Sequence, residues 1–355
     1  MKILIIQQKM IGDVLTTGIL FEAIKLRYPG SELHYVINSH TYPVVENNPF
    51  IDKFRFFTPE HETSKRKLWQ FSNQLRKENY DVVIDVYSKL SSNIITMCSK
   101  AKTKISIDKG HNSLIYNHRF KHKSKADTNA GLAIENRLQL LKPIDIDTSK
   151  IVRPKIYLTD NEKYSAKKLL ESHALDLEKP LFMIGVIGSG SNKTYPFPYM
   201  AEVINQIVLE HPESQVLFNY IPKQEGDARA VLELCSPETK KQIFFEVFGK
   251  SLRDFLAITS HCDALIGNEG GSINMAKALN IPTFTIFSPW IKKEAWSMFD
   301  DGEKQVSVHL IDYDANSYSN IKHPKELKSK TSELYEEFKP DFFKKDLKIF
   351  LNQFN

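Results

Sequence analysis

Cysteine is scarce. The 355 residues hold three, Cys98, Cys235 and Cys262, far apart and with no C-x-x-C pair. That spacing argues against a disulfide framework or a cysteine metal site and points to a reducing compartment. Long apolar runs are missing too. The opening MKILIIQQKMIGD holds too short a hydrophobic segment for a secretory signal, and no stretch approaches a membrane span. A cytoplasmic location is the resulting expectation. Charge is not of one sign: 48 Lys and Arg against 43 Asp and Glu leave a net +5. This is too little to argue for nucleic acid, but it suits anionic substrates or an anionic membrane surface. Neither a Walker A loop nor a G-x-G-x-x-G fingerprint is present. QQKMIGD, after the first apolar run, has a single glycine, which weighs against an NAD-dependent oxidoreductase. His34, His40 and His211 are scattered and give no metal-ligating spacing.

What is present is core material, 41% hydrophobic with 26% charged residues, enough for two domains. Apolar runs read as strands at KILII (2–6), ELHYVIN (32–38), FIDKFRFF, DVVIDVY (81–87) and TKISID. They alternate with helical spacing at 13–29, 65–80 and in KLSSNIITMCSKA. The pattern fades between about 110 and 155, apart from a helix at 130–144, and RPKIYLTD reads as one further strand. A second series follows: strands in LFMIGVIG, QVLFNYI, FFEVFG, DALIGNEG and IPTFTIF, with helices at 198–212 and in GDARAVLELC, SLRDFLAITSHC and SINMAKALN. Such alternation predicts an α/β protein with parallel sheets covered on both faces. The expected domains are 1–160 and 161–325, both Rossmann-like, with an amphipathic tail at 326–355.

Three stretches carry candidate chemistry. Gly12 and Asp13 stand between the first strand and first helix, where Asp13 reads either as a helix cap or as a general base. IGSGSNK (187–193) places small residues before Lys193, a pattern suited to phosphate and also to a plain flexible loop. NEGGS (268–272) ends an apolar strand and opens a small-residue helix, where free N–H groups and the helix dipole favour an anion. Trp290 and Trp296 lie beside this segment and are expected to pack rather than stack on a base.

In order along the chain, KILIIQQKMIGDVLTT, YDVVIDVYSKLSSNIITMCSKAKTKISI, GSGSNKTYP and FGKSLRDFLAITSHCDALIGNEGGSINMAKALNIPTFTIFSP resemble glycosyltransferase family 9, the ADP-heptose:lipopolysaccharide heptosyltransferase family. The resemblance spans roughly 1–110 and 180–290. It implies a GT-B fold, two Rossmann-like domains facing a central cleft with a C-terminal helix returning to the first. It implies inverting transfer of a heptose or related sugar, with no cofactor and no metal. The donor would be a nucleotide diphosphate, and the acceptor a lipopolysaccharide core or other cell-surface glycan. On this basis Asp13 deprotonates the acceptor hydroxyl. Gly12, Ser189, Gly190, Lys193, Glu269, Gly270, Gly271, Ser272 and Asn274 hold the donor, with Lys223 and Glu225 at the nucleoside.

The first domain would take the acceptor. Arg119, Lys121 and Lys123 of the run HRFKHKSK (118–125) would then meet its phosphate or sugar-acid groups, or anionic headgroups at the inner membrane. A solvated loop is the plainer reading of that run. The chain departs from the family pattern at four places. Gln7 stands for Arg, Gly18 for Pro, Glu269 for Asp and Asn274 for His, and these bear on donor identity more than on reaction class. The alternative is a sugar-nucleotide-binding protein without transferase activity.

Overall fold

The computed structural model describes residues 1–110, 112–319, 321 and 324–354. The chain divides into two compact units, Met1–Tyr157 and Leu158–Asn355.

The first unit is built on six parallel strands: β1 (Lys2–Ile6), β2 (Glu32–Ile37), β3 (Lys53–Phe56), β4 (Val82–Asp85), β5 (Thr103–Ile107) and β6 (His118–Phe120). Their order is β3-β2-β1-β4-β5-β6. The chain therefore builds outward on one side of β1, then returns to its other side, so Ile3 is level with both Leu33 and Val82. The loops after β1 and β4 consequently diverge, and in open α/β sheets ligands bind at that reversal. β1 and β4 are buried almost throughout because helices cover both faces. Leu4, Ile6, Val36 and Val83 form one side of the core with Phe71 and Leu75 of the helix Lys65–Arg76.

The second unit repeats the plan with β7 (Leu181–Gly185), β8 (Gln215–Phe218), β9 (Ala264–Asn268), β10 (Thr283–Ile286) and β11 (Gln305–Val308). All are parallel, in the order β11-β10-β9-β7-β8, and the reversal lies between β7 and β9.

Four expectations change. β6, three residues at a sheet edge inside the basic run, and β11 have no counterpart in the apolar pattern. FFEVFG forms no strand. The residue before it, Ile243, makes a single parallel bridge to Val216 of β8, and Phe245 and Val247 are buried. The strand expected in RPKIYLTD does not form, and residues 151–159 have no regular secondary structure.

The tail joins the core of the second unit. Leu334, Phe338, Phe343, Leu347, Phe350 and Leu351 are buried in the core of the second unit with Phe182 and Phe284. Phe284 lies 5.9 Å from Phe343 and 5.6 Å from Phe350, ring centre to ring centre. The Tyr195 hydroxyl donates to the Phe338 carbonyl, and His211 Nε2 lies 3.0 Å from the Leu351 carbonyl. The tail's aromatic spacing completes the sheet that precedes it in the chain. Among the described residues no helix is long and apolar enough to cross a membrane.

Phe338 is fully buried. Phe338→Ala should destabilise the second unit by about 3–5 kcal/mol, read as a lower urea midpoint. A change below about 1 kcal/mol would mean the tail is not part of this core.

The helices Asp160–Ser172 and Leu252–Thr259 are joined by Glu162, which accepts from Arg253 Nε at 2.6 Å and Nη2 at 2.7 Å. Those bonds, opposed by burial and aided by Thr159, hold the Glu162 carboxyl at about 2 against an ordinary 4.5. Folding lowers this pKa, so the contribution is complete above about pH 4.5 and is lost as pH falls towards 2. The stability gap between wild type and Arg253→Ala should therefore close on acidification through that window. A gap that stays constant in urea melts down to pH 2 would contradict the assignment.

Candidate functional site

At the second reversal the last residue of β9, Asn268, ties three pieces of backbone together. Its Oδ1 accepts from Tyr195 N at 2.7 Å, while Nδ2 donates to the carbonyls of Gly185 at 2.9 Å and Val186 at 3.1 Å. The loop after β7 is thereby pulled against the end of β9. It closes tightly on itself, and a Cβ on Gly188 would lie 2.0 Å from the Lys193 carbonyl oxygen, so no larger residue fits. Thr194 Oγ1 donates to the Gly190 carbonyl and accepts from Gly188 N.

This fold brings Lys193 to Glu269, with Nζ 2.8 Å from the buried carboxylate. The same ammonium lies 5.9 Å from the ring centre of Trp290, and that of Lys328 lies 5.1 Å from it. The Trp290 indole N–H donates to the Asn192 carbonyl at 2.8 Å, so this tryptophan supports the loop. Gly270, at φ +149°, turns the chain into the helix Gly271–Ala278, whose first turn no side chain caps. Ser272 and Asn274 are half-buried in that helix.

Beside the loop lies a cavity of about 410 Å³ lined by Ile187 to Ser191, Thr194 to Phe197, Gln224 and Asp227. Ser189 and Gly190 thus border open space. Lys223 and Glu225 do not line it: Lys223 is exposed, and Glu225 pairs with Arg229 at 2.9 Å. Their neighbours take the place instead. Gln224 Nε2 donates to the Gly188 carbonyl at 3.0 Å, and Asp227 is on the wall. The buried Ala228 and Val231 mark the inward face of this helix, and Gln224, one turn before Ala228, falls on it.

In the first unit the helix Ile11–Arg27 begins directly after β1, with Met10 at its cap position. Asp13 is therefore in the first turn and is not the cap. Its Oδ1 accepts from Arg137 Nη2 at 2.6 Å. Arg137 is buried and also donates to Thr17 Oγ1 at 3.2 Å and the Ala133 carbonyl at 2.7 Å, which fixes the carboxylate's orientation. Nothing in the local sequence marks this partner, 124 positions away. Gln7 is buried, and its amide donates to the Lys9 carbonyl, shaping the turn that leads to Gly12.

Two of the four Lys and Arg side chains in the basic run are paired internally. Arg119 pairs with Asp108 at 3.1 Å, and Lys123 pairs with both Asp127 and Glu135 at 2.7 Å. Only Lys121 of the three is exposed and without an ion pair among the described residues. A different basic surface adjoins the first reversal. A cavity of about 620 Å³ is lined by Gln8, Lys9, Lys65, Trp69, Tyr87, Lys89, Leu90 and their neighbours. Gln8 is buried. Its Oε1 accepts from Ser91 at 2.7 Å, while no described group accepts from its Nε2. Lys9 pairs with Glu62 at 2.7 Å, and this bond raises the lysine's pKa and lowers the glutamate's. Asp85, the buried last residue of β4, accepts from Ser88 N at 2.8 Å and from Tyr116 at 2.5 Å, holding the turn that presents Tyr87 and Lys89. Burial pushes its carboxyl up.

The sequence profile of glycosyltransferase family 9 (heptosyltransferase) matches residues 68–319. Lipopolysaccharide heptosyltransferase 1 of Campylobacter coli is 26% identical over 326 residues, covering 88% of this chain and 93% of that protein. A family 9 glycosyltransferase from Veillonella parvula superposes with a TM-score of 0.72 at 16% identity, covering 95% of this chain and 97% of the other. E. coli heptosyltransferase WaaC with ADP gives 0.64 at 17%, covering 98% and 99%. These structures share the GT-B fold, which the two parallel-sheet units reproduce. With a profile match across most of its length, the chain belongs to glycosyltransferase family 9, the heptosyltransferases, and is a glycosyltransferase.

Proposed function

We propose that this enzyme is an inverting, metal-independent transferase that moves a heptose or closely related sugar from an ADP-type donor to a lipid-linked lipopolysaccharide acceptor. The observation that carries the donor half is the pairing of Lys193 with Glu269 at the uncapped start of the helix Gly271–Ala278. A diphosphate arriving there meets an ammonium, free backbone N–H groups and the positive end of a helix dipole. These groups would stabilise charge growing on the leaving diphosphate, the part a divalent cation plays elsewhere. Gly270, Gly271, Ser272 and Asn274 are assigned to the same end of the donor, and Ser189 and Gly190 to the cavity beside it. The choice of an adenine nucleotide rests on relatives: E. coli WaaC has been solved with ADP and with ADP-2-deoxy-2-fluoro heptose.

Asp13 is assigned the base. It takes the acceptor hydroxyl proton as that oxygen bonds to the anomeric carbon and the carbon–oxygen bond to the diphosphate breaks, inverting the centre. Arg137 positions Asp13. The acceptor's anionic groups are assigned to the cavity holding Lys65 and Lys89, which have no ion pair among the described residues, in preference to Arg119 and Lys123, whose charges are already matched.

Lys193→Ala should weaken ADP binding about 10- to 150-fold, the loss expected for a charge-assisted bond, and abolish most of the thermal shift given by ADP. An unchanged shift would place the diphosphate elsewhere. Asp13→Asn should lower kcat about 10²-fold or more while leaving ADP affinity intact, and near-normal turnover would remove Asp13 from the base role. At the nucleoside end Asp227→Ala should weaken ADP binding while Glu225→Ala should not. The reverse result would put the nucleoside outside the cavity.

A further inference from the structure

The tail brings one polar group to the donor loop and gives it nothing to bond. Tyr335, on the helix Thr331–Glu337, is 3% exposed, and its ring centre lies 5.8 Å from that of Tyr195, whose amide is tied to Asn268. No described group meets the Tyr335 hydroxyl in hydrogen-bond geometry. A buried hydroxyl without a partner is costly, and its presence calls for a second state of the site in which the partner is there. Glu269 stands close by. Its N–H donates to the Ile286 carbonyl at 3.1 Å, so β10 runs on beside it towards Ser288, whose hydroxyl donates to the Asn192 carbonyl at 2.7 Å. Burial pushes the Tyr335 phenol up, the Ser288 hydroxyl pulls it part of the way back, and the Glu269 carboxylate raises it again. The ring therefore carries a neutral O–H with a carboxylate in electrostatic reach.

The ion pair next to it is lopsided. The Lys193 side chain is 27% exposed and that of Glu269 only 8%. Glu269 Oε1, 2.8 Å from the ammonium, takes no directed hydrogen bond from any described group, so charge alone holds the pair. A diphosphate can draw the ammonium away, because Lys193 already reaches solvent. The buried carboxylate cannot follow, and it would be left as an uncompensated charge, which is strongly unfavourable.

We propose that Tyr335 is the reserve partner of Glu269: when Lys193 turns to a bound diphosphate, the Tyr335 hydroxyl donates to the Glu269 carboxylate and holds it, still ionised, at the start of the helix Gly271–Ala278. Tyr335 is a positioning residue, acting through Glu269 and touching no substrate. The diphosphate step rests on the donor reading above, whereas the exchange of partners can be forced without any nucleotide.

Urea melts of wild type, Tyr335→Phe, Lys193→Met and the double variant, with no ligand added, test the exchange. Met keeps the stem of Lys193 and removes its charge. With Lys193 in place, Tyr335→Phe deletes a hydroxyl that has no partner, so the unfolding constant should change by less than about twofold. In the Lys193→Met background the same substitution should raise it about 10- to 150-fold, the worth of a hydrogen bond to a charged group. An equal cost in both backgrounds, as a merely structural hydroxyl would give, or no cost in either, would overturn the proposal. ADP supplies the second readout. Tyr335→Phe should weaken its binding about 10-fold or more, and much less once Glu269→Gln has removed the buried charge. An undiminished affinity, or a loss of the same size with Gln in place, would also overturn the proposal. Wild-type protein that binds no ADP would instead overturn the donor reading, and the ligand-free melts would still decide the role of Tyr335.

Discussion

Each unit's site depends on one buried side chain at the end of a strand beside the sheet's reversal. In the second unit it is Asn268, which bonds Tyr195, Gly185 and Val186 at once. In the first it is Asp85, the end of β4, which bonds Ser88 and Tyr116. Parallel strands diverge at these two points, and a loop there has no ladder to hold it. A buried Asn or Asp supplies the missing bonds. Leaving any of these groups unpaired would cost about 1–3 kcal/mol, so the loops are drawn into one shape. Lys193 meets Glu269, and Tyr87 and Lys89 reach the cavity wall, as consequences of those two anchors.

Charge on this molecule is informative when sorted by whether it is already matched. Many of the basic groups are committed: Arg137 to Asp13, Arg253 to Glu162, Lys123 to Asp127 and Glu135. Lys193 is a special case, because its partner is a single buried carboxylate at a helix start that also favours anions. A bound diphosphate would compete with Glu269 for it. Exposed cations gather on the helix Lys65–Arg76, which has no acidic residue of its own.

Much of this was legible in the sequence because parallel strands buried on both faces must be apolar throughout. KILII, DVVIDVY, LFMIG and DALIGN stand out for that reason, and the glycine-bearing loops after them locate Asp13, Lys193 and Glu269. What stayed hidden depends on distance or on facing. Arg137 reaches Asp13 from 124 residues away. Glu225 reads as a nucleoside ligand, yet it is exposed and pairs with Arg229, while Gln224 and Asp227 line the cavity. The tail's apolar spacing is plain, but which sheet it completes is decided by Phe182 and Phe284. The run at 118–125 looks like a basic surface until Asp108 and Glu135 arrive from elsewhere in the chain.

The chemistry proposed for Asp13 is a single displacement at an anomeric carbon, with the carboxylate taking the acceptor's proton. Proton NMR of the product formed from ADP-heptose and a core-truncated lipopolysaccharide acceptor tests it most directly. The expected product has a new glycosidic bond whose anomeric configuration is opposite to that of the donor. A product with the donor's configuration would require two displacements and a different nucleophile, and would contradict the role given to Asp13.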